Sequence, residues 1–115
     1  MKVSLKTAFS LLDGRLSTSI DDVYEMLGFV FSQSLMTHQL PTAIRKLQEQ
    51  NPTWFKEGVQ LIDSIKKENK TEGFDDLMLI IEDQYSDHEV SLSTIDFTIP
   101  ILAGLEKHIL EQGGE

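Results

Sequence analysis

The side chains that could do acid–base or metal chemistry in this 115-residue sequence are three histidines and nineteen carboxylates; there is no cysteine. His38, His88 and His108 are far apart in the chain. No two of them stand three or four residues apart, the spacing that puts two metal ligands on one helical face. His38, just before Pro41, reads as a hydrogen-bonded turn residue. Asp87-His88-Glu89 puts ligand-type residues in a row. Neighbours on an extended chain point to opposite sides, so a solvated loop is the expected setting. His108 near a helix C-terminus reads as structural, its charged form meeting the dipole favourably.

The carboxylates occur as adjacent pairs: Asp21/Asp22, Asp75/Asp76 and Glu82/Asp83. Glycoside chemistry needs two carboxyls facing each other about 5–10 Å apart across a cleft, one with a raised pKa. Adjacent acids on a helix surface do not supply that, and in a first turn they stabilise the helix N-terminus instead. Neither a Gly-x-Ser-x-Gly elbow nor a nucleotide-binding glycine loop occurs. The expectation is a protein that is not an enzyme and carries no cofactor or metal. The competing reading is a small metal-assisted hydrolase built on His38 or His88 with nearby acids.

Charge distribution is more informative. Residues 1–58 hold six basic and six acidic residues, whereas residues 59–115 hold four basic and thirteen acidic ones and so carry the whole net charge of −9. From Thr71 to Glu106 there are nine acids and no Lys or Arg. A field of one sign attracts basic partners and speeds their association. The expected contact surface lies in residues 72–89, with Asp75, Asp76, Glu82, Asp83, Asp87 and Glu89 facing a basic or nucleic-acid-binding protein. Direct nucleic-acid binding is not expected, because that affinity comes mainly from Lys and Arg neutralising phosphates. Its best outline would be a helix-turn-helix reader using Arg45 and Lys46 on the third helix.

The elements that must position these residues follow from apolar spacing and stop signals. With 40% hydrophobic and 25% charged residues, the chain can build one core. The class expected is mainly α: one domain over residues 1–115, five or six short helices, and at most a minor two-stranded β element. Ser4 caps a first helix over 5–13, and Gly14 stops it. Residues 15–18 are β-tolerant and could pair with the alternating segment around Val90 and Leu92. Ser19 caps the second helix, whose stripe is Ile20, Val23, Tyr24, Leu27, Val30 and Phe31. Met26 and Phe29 fall outside that stripe. The wide apolar arc predicts either a central helix packed on more than one side or a homodimer contact through Met26 and Phe29. The third helix runs to Gln50, and Asn51-Pro52 caps and starts the fourth. Trp54, Phe55, Gly58, Val59, Leu61, Ile62 and Ile65 face inward on it. Residues 66–73 read as an exposed loop.

Phe74, Leu77, Met78, Ile81 and Tyr85 predict a fifth helix, although the run from Leu77 to Ile81 could be a buried strand. Pro100 opens a last helix carrying Ile101, Leu102, Leu105 and Ile109, which frays at Gly113-Gly114. The core should include Phe9, Leu12, Val23, Leu27, Ile44, Leu47, Phe55, Leu61, Ile62, Leu77, Ile81 and Leu105. No apolar run approaches a membrane span, and the first residues lack a signal-peptide core, so a cytoplasmic protein is expected.

Three motifs carry a resemblance. Leu12-Asp13-Gly14-Arg15-Leu16-Ser17 leads into Asp21-Asp22-Val23-Tyr24-Glu25-Met26-Leu27, and Met36-Thr37-His38-Gln39-Leu40-Pro41 follows. The pattern resembles a group of short phage and prophage proteins of uncharacterised function, over about a third of the chain. The later acidic segment departs from it. No site residue is implied. The resemblance implies a phage setting in the cytoplasm of a bacterial host. Small acidic proteins from that setting are often stoichiometric binders or inhibitors of host proteins, anti-CRISPR and antirestriction proteins among them.

Overall fold

Why the chain forms helices where it does is visible at their ends. In the computed structural model, which describes residues 1–71 and 73–103, Ser4 and Ser19 both hold extended backbone and accept a hydrogen bond from a first-turn amide, Thr7 N and Asp22 N respectively. They open α1 (Leu5–Asp13) and α2 (Ile20–Phe31). Gly14 ends α1 at φ 86°, in the left-handed region where a side chain is strained. Replacing Ser19 with Ala is expected to cost about 1 kcal/mol, the usual worth of such a cap, read as a lower urea midpoint at unchanged slope.

A short 3₁₀ turn (Thr37–Gln39) leads into α3 (Leu40–Gln50), with proline in its first turn. The fourth helix, α4 (Pro52–Asn69), also starts on proline. Asn51 does not cap it: its side-chain amide donates backwards to Leu47 O at 3.0 Å and so closes α3 instead. The first half of the expected loop over 66–73 is helix, because α4 continues to Asn69 and ends at Lys70, φ 51°. Lys66 and Lys67 in that last turn are good helix formers and meet the negative end of the dipole. The ambiguous run from Leu77 to Ile81 is helical, within α5 (Phe74–Gln84).

The two-stranded element exists, with a different partner from the one expected. β1 (Lys2–Ser4) and β2 (Glu89–Ser91) pair antiparallel, Val3 opposite Val90. Residues 15–18 are not a strand. Ser17 is buried and uses its amide on Ser10 Oγ, at 2.8 Å, while its hydroxyl bonds Lys6 O. That loop is tied to α1 and has no ladder to offer. Five α-helices and this ribbon make a mainly α protein among the described residues.

The core lies in two clusters that meet at α1. One joins Leu11 of α1 to Val23, Leu27 and Val30 of α2, Ala43 and Leu47 of α3, and Leu92, Ile99 and Ala103 beyond β2. The other joins Leu5, Phe9 and Leu12 of α1 to Ile62 and Ile65 of α4 and Leu77, Met78 and Ile81 of α5. The central element is therefore α1, buried from Ala8 to Leu12, and not α2, which buries one face through Val23, Met26, Leu27, Val30 and Phe31. Helix α4 can approach α1 closely because of Gly58: a Cβ there would stand 2.6 Å from Leu12 Cδ2. Of the expected core, Ile44, Phe55 and Leu61 are half-buried. Met26 is 1% exposed and Phe29 37%, so Met26 belongs to the internal packing and not to a dimer contact. Ile20, placed on the inward stripe, is 44% exposed. Residues 101–103 form a turn, with Ile101 and Leu102 exposed, where a helix was expected to open. Leu105, His108, Ile109 and the Gly113-Gly114 end lie outside the described residues, as does Glu72.

Candidate functional site: the outer face of α5

Helix α5 is held down by Leu77, Met78 and Ile81, each less than a tenth exposed. Asp76, Leu79 and Asp83 are not three or four positions from any of these and so face outward. Asp75, Asp76, Glu82 and Asp83 are all exposed, as is the residue between them, Leu79, at 65%. The offsets from Leu79 are −4, −3, +3 and +4, so all five occupy one strip of helix surface. A large aliphatic side chain stands in water inside a frame of four carboxylates.

Of the six acids singled out from the sequence, four thus share a face. Asp87, in the turn after α5, and Glu89, in β2, are exposed but lie beyond the helix. Glu82 has a partner that sequence neighbours do not reveal: Lys6 Nζ of α1 lies 3.2 Å away, with both side chains well exposed. A surface pair of this kind contributes little to stability. It does remove part of the negative field at that corner. Asp75, Asp76 and Asp83 form no ion pair among the described residues. Leu79 is the functional candidate that the sequence reading did not single out. Once α5 is helix, its position opposite the stripe of Leu77 and Ile81 follows from spacing alone.

The other candidate residues have structural surroundings. His38 sits in the 3₁₀ turn with Nε2 2.6 Å from Ile101 O. His88 is exposed, with its ring edge-on to Tyr85 at 6.4 Å, and its carbonyl accepts from Leu5 N at 3.1 Å. Among the described residues no three His, Asp or Glu groups are close enough to hold a metal ion. Arg45 and Lys46 both lean toward Glu49, at 4.0 and 3.7 Å, and the Lys46 ammonium lies over the Phe97 ring at 4.4 Å. Arg15 packs over Phe74 at 4.8 Å and bonds Asp13, which holds its guanidinium pKa above the ordinary value. Its planar cation therefore bridges the end of α1 to the start of α5.

The buried polar residue of the Thr-His-Gln-Leu-Pro motif is Gln39, 2% exposed. Its carbonyl accepts from Met36 N at 2.7 Å, and its amide donates to Pro100 O at 2.9 Å and, at 3.4 Å, to Ile99 O. Gln33 binds both backbone groups of Ile99, at 2.8 and 2.9 Å. These two glutamines fasten the segment after β2 across α2 and the 3₁₀ turn. No described helix is long and apolar enough to cross a membrane.

No curated protein and no solved structure matches the chain. Residues 3–58, from β1 into α4 and including all three sequence motifs but not α5, match the model of a family described as a domain of unknown function (DUF7736).

Proposed function

We propose that this protein is a stoichiometric binder of a basic host protein, of the anti-defence type that the phage-like motifs imply, and not an enzyme. The contact surface in this reading is the outer face of α5. The observation that carries it is Leu79, exposed at 65% in the middle of a one-signed face on a well-anchored helix. An apolar anchor with a polar rim is the usual arrangement of a binding hot spot. The carboxylates steer a basic surface into place and set specificity, while Leu79 supplies apolar burial once docked. The partner is then a protein whose phosphate- or acid-binding surface includes an apolar socket. The nucleic-acid alternative has less behind it, since two adjacent cations make a thin electrostatic footprint and Lys46 already meets Glu49 and the Phe97 ring.

The reading is tested by placing the photo-crosslinking residue p-benzoylphenylalanine at position 79, or at Gln60 on the exposed side of α4, in cells of a bacterial host. A basic protein should be captured from position 79 and not from position 60. Equal capture from both positions, or capture from 60 alone, would contradict it. Substitution at exposed position 79 should change folding stability by no more than about 0.5 kcal/mol, which Leu79→Ser checks by urea unfolding, so capture from position 79 reports on the folded protein.

A further inference from the structure

A mainly apolar concavity lies elsewhere, where α1 ends and α2 and α3 begin. It is an open cleft of about 610 Å³, floored by Val23 and Leu40 and walled by Leu16, Ile20 and Ile44. That size falls within the range of small-molecule sites, roughly 300–1,000 Å³. Leu16 is 53% exposed and Ile20 44%, so two large aliphatic side chains stand in water on one wall. Along α3, Leu40, Ile44 and Gln48 follow at four-residue spacing, which sets the cleft's length at about 12 Å. Such walls take an aliphatic body.

The charges at the rim set the other half of the ligand. Asp13 also lines the cleft, but its carboxylate is neutralised by Arg15. The Gln48 amide donates inward to Leu11 O at 2.8 Å. Ser10 bonds Ser17, and Thr37 bonds the Tyr24 hydroxyl. Arg45 remains: its side chain is 69% exposed, and its Nε comes no nearer to Glu49 than 4.0 Å. Its guanidinium keeps donors for an incoming anion, with the planar geometry that suits a carboxylate. We propose that this cleft binds an aliphatic carboxylate, its chain lying on Val23 and Leu40 and its head on Arg45. The site is separate from the α5 face, and neither reading depends on the other.

The test uses the full chain and two probes below their micelle concentrations, decanoate and decyltrimethylammonium, which share a tail and differ in head charge. Methyl NMR of Leu16, Ile20 and Ile44 reads occupancy. Decanoate should shift these methyls saturably and bind on the order of tenfold more tightly than the cation, the worth of one charge-assisted hydrogen bond. Arg45→Glu should abolish or invert that preference, and Leu16→Glu should weaken both probes. Neither substitution is in the core, and retained α5 methyl positions confirm the fold. Absence of saturable shifts at these methyls, equal affinity for the two probes, or an unchanged preference in Arg45→Glu would each overturn the proposal.

Discussion

Truncating Phe9 to alanine is expected to destabilise the protein by roughly 3–5 kcal/mol, the range for removing a fully buried aromatic ring. Phe9 is 0% exposed and lies on α1, which joins the two core clusters. Its ring packs against Phe74 at a centroid distance of 5.8 Å, tilted by 56°. The Arg15 guanidinium lies over both rings, 5.8 Å from Phe9 and 4.8 Å from Phe74. Removing the Phe9 ring therefore leaves a cavity between α1, α4 and α5 and also loosens the start of α5. Since marginal stability is about 5–15 kcal/mol for a typical domain, this single change removes a large fraction of it. Equilibrium urea unfolding checks the value. A loss below about 1 kcal/mol would mean that α1 is not the central element.

Replacing Gln39 with alanine should cost about 2–4 kcal/mol, although it removes a polar side chain. The deletion leaves the part-buried Met36 N–H and Pro100 C=O without their side-chain partner, each at the lower end of the roughly 1–3 kcal/mol that an orphaned group costs, and it empties the space of a side chain only 2% exposed. The effect should be local as well as global. Amides at Met36 and Ile99 should exchange faster with solvent than those of α4, because Gln39 and Gln33 together fasten residues 99–100 to the body. Uniform loss of protection, or none at these two amides, would show that the segment after β2 is held by Ile99 and Ala103 packing alone.

Residues with short-range consequences were legible in the sequence. Ser4, Gly14 and Ser19 act within a few residues of themselves, and each bounds the helix it was expected to bound. The inward stripe of α5 followed from spacing in the same way. What was not legible depends on pairing across long stretches of chain. β1 is three residues with one half-buried aliphatic, and only its partner, nearly ninety positions away, makes it a strand. Lys6 and Glu82, 76 positions apart, meet because α1 and α5 pack side by side. Gln39 gave no sign of burial, since a glutamine is usually exposed and its partners are the backbone of residues 99 and 100. Met26 lay outside the expected stripe because that stripe was centred too far toward Ile20 and Tyr24; the buried face runs through Val23, Met26, Leu27, Val30 and Phe31, with Met26 three residues after Val23 and four before Val30. Leu79 was hidden by the opposite problem: in an unbroken run from Leu77 to Ile81, hydrophobicity alone does not say which residue points out.

The central claim is that the outer face of α5 meets a basic partner, and quantitative affinity capture from a bacterial host lysate tests it most directly. Three baits are compared at low and moderate salt: the wild type; an α5-face variant with Asp75→Asn, Asp76→Asn, Leu79→Ser and Asp83→Asn; and a control variant with Asp21→Asn, Glu25→Gln and Asp63→Asn. All of the substituted positions are exposed. Each variant loses three negative charges, so net charge is matched and only its location differs. The account predicts that one basic protein is recovered by the wild type and the control, less at moderate salt as screening shortens the steering field to about 8–10 Å, and is lost with the α5-face variant. Recovery of the same partner equally by all three baits at both salt concentrations would contradict it.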